Sequence, residues 1–185
     1  MRLTLFLILT ILCSNFNSIN AQFYQTTSAK ISFFSSAPVE DIEAVSTEGI
    51  SVINSKNAAI SFKVKMRSFE FEKSLMQEHF NENYVESEKF PEASFKGESS
   101  SSIDLESTVP QNIVFKGDFT VHGVSRKREL PATITMQNNG KTLTLESRFE
   151  VACKDHDIKI PKILWENIAE VIEVTVNANY QIITQ

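Results

Sequence analysis

The chain has 185 residues, 42% of them hydrophobic and 10% aromatic, and a formal charge of −5. Acidic overall, with Arg126-Lys127-Arg128 as its one basic knot, it lacks the clustered cations that neutralise nucleic-acid phosphates. The length suits one domain with a sizeable core, and the glycines at 49, 97, 117, 123 and 140 form no dinucleotide fingerprint, P-loop or nucleophile elbow.

Residues 1–21 read as a secretory signal peptide. Arg2 gives a minimal basic start, Leu3 to Leu12 an apolar run, and Ala21 a small residue for cleavage. The run is too short to cross a bilayer of about 30 Å, which takes roughly 20 helical residues, so no stable membrane insertion is expected. Cys13 follows Leu12, where a lipoprotein signal has a small residue. The expected location is periplasmic or secreted, with residues 22–185 as a single domain. Cys153 is the one thiol left in that stretch, so stability must come from a core and backbone pairing rather than an internal disulfide.

From Ala29 onward, apolar residues recur at every second position, the period of a half-buried strand. Ala29, Ile31 and Phe33 share a face, as do Ile50 and Val52. Ile60, Phe62, Val64 and Met66 alternate with Ser61, Lys63, Lys65 and Arg67. The apolar set then shifts to Phe69 and Phe71, a change of face that predicts a bulge or a sharp bend. Between them and Phe90-Pro91 the pattern becomes helical. Leu75, Met76, His79 and Phe80 fall on one side, predicting a short helix over 73–83 that covers an end or side of the strands.

Alternation resumes near 93–99 and continues through Ile113, Phe115, Phe119 and Val121, with Gly117 in the inward series where a neighbouring strand approaches closely. Further series are Leu130 to Met136, Leu143 to Val151 and Ile172 to Ile182; Gly123 and Asn138-Asn139-Gly140 supply tight turns. Cys153 continues the Phe149, Val151 alternation as a small buried residue. A second short helix is expected near Pro161 to Ile168. Counting a weaker segment near 41–47, about eight antiparallel strands result: an all-β sandwich or barrel with one or two short helices covering it.

Little in the chain points to chemistry. His79, His122 and His156 are far apart in sequence and lack metal-ligand spacing. Lys154-Asp155-His156-Asp157 reads as a charged turn, and Glu78, Glu82, Glu86 and Glu88 as a solvated surface. No catalytic residue, metal ligand or cofactor is assigned. Twelve of the fourteen phenylalanines lie beyond the signal peptide, several in inward positions of separate strands. They either fill a core completely or wall a ligand cavity.

Two segments carry a family resemblance. Gly117-Asp118-Phe119-Thr120-Val121-His122-Gly123-Val124-Ser125 resembles the G-D-L-T-hydrophobic-H-G-V-T segment of the YceI-like, polyisoprenoid-binding domain family. His79-Phe80, Tyr84, Glu88-Lys89-Phe90-Pro91 and Phe95 resemble its second hallmark in order and spacing. The resemblance implies a lipocalin-like antiparallel β-barrel whose lumen takes an isoprenoid or fatty tail, an exported location and no enzymatic activity. The chain departs from the pattern near Phe23 to Ser32, which lacks the tryptophan and the Asp-x-x-His-Ser opening. It departs again at Glu72-Lys73, and at Asp155 to Lys159.

On this basis Phe62, Val64, Met66, Phe95, Phe115, Phe119, Leu145 and Phe149 are the expected lumen lining. An apolar lipid or isoprenoid is the expected partner, with a homodimer left open. The rival expectation is a structural or stress-related envelope protein with a filled barrel.

Overall fold

A computed structural model of the protein describes residues 22–36, 41–160 and 169–183. The predicted signal peptide and the helix expected near Pro161 to Ile168 lie outside the described residues.

Eight strands close into an antiparallel barrel. They are β1 (Phe23–Ser36), β2 (Asp41–Asn54), β3 (Ala59–Lys65), β5 (Glu92–Ser99), β6 (Gln111–Val121), β7 (Val124–Gln137), β8 (Thr142–Ala152) and β9 (Val171–Ile182). Around the barrel the order is β1-β9-β8-β7-β6-β5-β3-β2, and β2 returns to pair with β1. Closure leaves no strand edge of the barrel unpaired, the usual hazard of an open sheet. A two-residue strand, β4 (Glu70–Phe71), pairs with β2 at Ala44 and Val45. Helix α1 (Ser74–His79) follows it and runs into a π-helical turn over Phe80–Tyr84.

The period-two pattern explains which side of each strand faces in. In β3, Ile60 and Val64 are buried, whereas Ser61, Lys63 and Lys65 are exposed. Register then aligns aromatics across neighbours: Phe62 is opposite Phe95, and Phe95 is opposite Phe119, making a rib across β3, β5 and β6. Gly97 is opposite Gly117. A Cβ on Gly117 would run into the Lys96 carbonyl oxygen and the Gly97 Cα, so the two strands approach closely only because both residues lack side chains.

Three local features differ from simple alternation. In β1 the buried set passes from Tyr24 and Thr26 to Ala29 and Ile31, and the β1–β2 register breaks between Thr26 and Ala29. In β2 it passes from Ala44 and Ser46 to Ser51 and Ile53, so Ile50 and Val52 share a face that points outward, with Ile50 40% exposed. After β3 the change of face comes from a 3-10 turn at Met66–Ser68 rather than from a bulge. That turn lifts the chain off the barrel wall and carries Phe69 and Phe71 toward α1.

The β6–β7 connection is a two-residue hairpin. Val121 pairs with Val124, and His122 (φ 51°) and Gly123 (φ 73°) both take left-handed conformations, the geometry of a type I′ turn. Gly123 is fixed doubly, since a Cβ there would also meet the Phe90 ring.

The two ends of the barrel differ. At one end, where β1, β6 and β8 begin and β2, β7 and β9 finish, Tyr24, Ile53, Ile134, Met136, Leu143 and Tyr180 are almost wholly buried and pack solidly. Polar tips are satisfied there: Tyr180 Oη donates to Ser51 Oγ at 2.8 Å, Ser51 Oγ to the Ser61 carbonyl at 3.0 Å, and Tyr24 Oη to the Gly140 carbonyl at 2.6 Å. The other end is hollow.

Candidate functional site

At the open end the inward side chains stop short of one another and leave a cavity of about 600 Å³. All eight residues expected to line a lumen border it: Phe62, Val64, Met66, Phe95, Phe115, Phe119, Leu145 and Phe149. The wall also includes residues that the sequence reading did not single out for this role, among them Phe33, Phe69, Phe71, Phe80, Val174 and Val176. Alternation alone could have nominated Val174 and Val176. Phe69 and Phe71 could not be placed from alternation, because they reach the cavity through the turn after β3, whereas Phe80 reaches it from the helical segment.

Those aromatics form one cluster. Phe33 lies 5.4 Å from Phe69, 5.6 Å from Phe71 and 5.3 Å from Phe80, centroid to centroid, and Phe71 lies 5.0 Å from Phe80. The cluster fastens the π turn to the barrel end and so positions α1, none of whose residues is buried. Leu75, Met76, His79 and Phe80, the face predicted from helical spacing, all border the cavity, and Leu75 remains 59% exposed. The helical segment is therefore a cover at the mouth. His79 is exposed at this mouth.

Few polar groups interrupt the wall. Ser147 donates to the Pro131 carbonyl, and Ser35 accepts from the Ala169 amide. Burial raises the Tyr84 hydroxyl pKa and pushes the Cys153 thiol up to about 11, so the thiol stays protonated and behaves as a small apolar group. Among the described residues no three His, Cys, Asp or Glu side chains converge as metal ligands would. No helix among them is long and apolar enough to cross a membrane.

Two histidines distant in sequence are neighbours in space. His122 Nδ1 donates to the His156 carbonyl at 3.0 Å, and His122 Nε2 lies 2.9 Å from Glu86 Oε2. Glu86 is thus held at the barrel rather than solvated freely; its hydrogen bond with His122 lowers its pKa below the usual carboxylate range. Glu88 pairs with Arg67 at 2.9 Å. The Lys154–Asp157 segment is a turn, as its composition suggests, except that His156 is completely buried, with its ring edge to face against Phe119. His156 Nδ1 donates to the Val124 carbonyl at 3.0 Å, and desolvation lowers its pKa.

A closed eight-stranded barrel with a hollow apolar half and a short helical cover is the architecture implied by the motifs around Gly117 and His79. The family model described as the YceI-like domain matches residues 14–180. The chain belongs to the YceI-like domain family.

Solved structures place this YceI-like protein among similar folds at low identity. A polyisoprenoid binding domain from Saccharophagus degradans superposes with a TM-score of 0.73 at 10% identity, covering 86% of this chain and 97% of that one. Burkholderia cenocepacia BcnA gives 0.66 at 13% identity, covering 82% and 95%. The Campylobacter jejuni YCEI protein gives 0.57 at 16% identity, covering 75% and 81%. Among curated protein sequences none matches the YceI-like chain.

Proposed function

We propose that this protein is an exported, non-enzymatic carrier that holds one apolar chain, an isoprenoid or a fatty-acid-like lipid, in the lumen of the barrel. The observation that carries the reading is the cavity of about 600 Å³, walled mostly by Phe, Val, Leu, Ile and Met and solid at one end. That volume lies within the range of about 300–1,000 Å³ typical of small-molecule sites. A polar metabolite would leave its hydrogen-bonding groups unpaired against such a wall. A lipid tail would gain roughly 0.8 kcal/mol gross per buried methylene, so about ten of them outweigh several kcal/mol of ordering cost.

Membership of the YceI-like family and the polyisoprenoid binding attributed to the Saccharophagus degradans domain support the same ligand class. The signal-peptide pattern of residues 1–21 supports export. The protonated Cys153 thiol, unsuited as a nucleophile, supports a binding role over catalysis. A filled barrel acting through its surface is less well supported, because only one end is packed solid.

The test is native mass spectrometry and solvent extraction of protein purified without detergent. The expected result is a stoichiometric lipid, or uptake of one long-chain isoprenoid or fatty acid per molecule. Protein that carries no lipid and takes none up overturns the carrier reading.

A further inference from the structure

Beside the aromatic cluster that fastens the π turn, the cover over the lumen is joined to the barrel by a polar pair whose hydrogen bonding requires a proton. His122 stands in the β6–β7 turn with its side chain only 10% exposed. One ring nitrogen faces the main-chain carbonyl of His156, which can only accept, so Nδ1 must carry hydrogen. The other faces the Glu86 carboxylate at 2.9 Å. An ionised carboxylate also only accepts, so this contact is attractive when Nε2 carries hydrogen too. A neutral imidazole with its proton on Nδ1 would turn a lone pair toward a negative oxygen.

Glu86 links the end of the cover to the β6–β7 turn. It sits just after the π turn, in a left-handed conformation (φ 44°) that a glutamate adopts at some cost. The loop folds back on it, with the Lys89 and Phe90 amides donating to the Glu86 carbonyl and the Phe90 ring 4.5 Å from the His122 ring. Further polar links join Arg67 to Ser87 and to the exposed Glu88, a pair largely screened by water, and the Phe71 amide to Gln77 Oε1. α1 itself buries no residue. Charged groups around the pair are Lys89, 3.8 Å from Glu86 Oε1, and Lys159 from the connection after β8; both favour the ionised carboxylate, and burial lowers the pKa of the nearby His156 ring.

The geometry points to Glu86–His122 as a proton-operated tether that, together with the aromatic cluster, holds the 74–90 segment over the lumen while His122 is an imidazolium, and that loosens the segment when the ring loses that proton. The tether also weakens in acid, once the Glu86 carboxylate is protonated. This inference concerns the cover alone and holds whether or not the lumen carries a lipid.

Four proteins test it: the full wild-type chain, Glu86→Gln, Glu86→Ala and His122→Asn. Asparagine suits the left-handed position in the turn, so the last variant removes the tether without disfavouring the hairpin. The readouts are ¹⁵N shifts of the His122 ring and hydrogen exchange of amides 74–90, corrected for intrinsic exchange, from about pH 5 to about pH 9. A third readout is the rate at which N-ethylmaleimide modifies Cys153, followed on its own peptide at one fixed pH.

In wild type, protection of 74–90 should fall as the His122 ring titrates, while the strands stay protected. Glu86→Gln should stay protected throughout, because a carboxamide can donate to a bare ring nitrogen or accept from a protonated one. Glu86→Ala and His122→Asn should lose protection at every pH and label Cys153 several-fold faster than wild type. The tether is overturned by a His122 ring that is neutral across the range, by protection that ignores its titration, or by Glu86→Gln behaving as Glu86→Ala. An unchanged Cys153 rate in Glu86→Ala overturns control of the lumen.

Discussion

Phe119 of β6 and Phe149 of β8 meet edge to face across the strand that separates them, with ring centroids 5.8 Å apart and planes at 79°. Both rings border the cavity, so each is packed on one side and faces open space on the other. Phe119→Ala should therefore cost clearly less than the ~3–5 kcal/mol usual for a fully packed phenylalanine. Met136→Ala, at the solid end, should cost about 2–5 kcal/mol. Urea midpoints for the two variants check the contrast, and equal losses would mean that the open end is packed as tightly as the other.

Phe119→Trp addresses the same wall from the opposite direction. The larger indole should narrow the lumen and weaken uptake of a long-chain fatty acid or isoprenoid while leaving the melting temperature within a few degrees. Titration with a fluorescent acyl probe gives the affinity. Undiminished uptake would indicate that the chain does not pass this ring.

Gly117→Ala is expected to destabilise by about 1–3 kcal/mol, because the new methyl group is forced against the backbone of β5 where the two glycines face each other. Thermal unfolding measures the loss, and exchange of β5 and β6 amides should rise locally. A neutral substitution would mean that the strands can separate there without penalty.

The His156 ring is buried, with Nδ1–H given to Val124 and a folded pKa below its ordinary value. As pH falls below about 6.5 the unfolded chain takes up the proton first, so stability is full above that pH and declines as pH falls toward the lowered folded value. His156→Asn retains a donor for the carbonyl and removes this titration, so its melting temperature should vary less with acid than that of wild type. Parallel slopes would place the acid sensitivity elsewhere.

At the packed end, Tyr180 donates to Ser51 and its hydroxyl pKa is raised by burial. Its contribution is present below the unfolded value near 10 and is lost as pH rises through the raised folded value. Tyr180→Phe should cost about 1 kcal/mol at neutral pH and flatten the alkaline decline in stability. Equilibrium denaturation at neutral and alkaline pH tests both parts.

Much of the architecture was legible because barrel strands write their orientation in the chain. The inward series from Ile60 to Met66 and from Ile113 to Val121 could be read one residue at a time, and both border the barrel interior. The reading failed where the period broke. Ile50 and Val52 alternate correctly but face solvent because β2 shifts its buried set near Gly49. The shift to Phe69 and Phe71 fitted a bulge or a sharp bend equally, because a three-residue turn leaves no distinctive mark in composition; the 3-10 turn is the bend. Glu86 was invisible among other glutamates: its partner lies 36 positions away, and only the β6–β7 hairpin brings that partner within reach.

The solid packing behind Tyr24 and Tyr180 makes the barrel a sleeve stoppered at one end. Among the described residues the way in lies at the covered mouth, so a guest would not thread through the sleeve. A guest held there would back out the way it came before another could enter. Two competing tails would then compete as mutually exclusive occupants, the longer one bounded by the depth of the stopper.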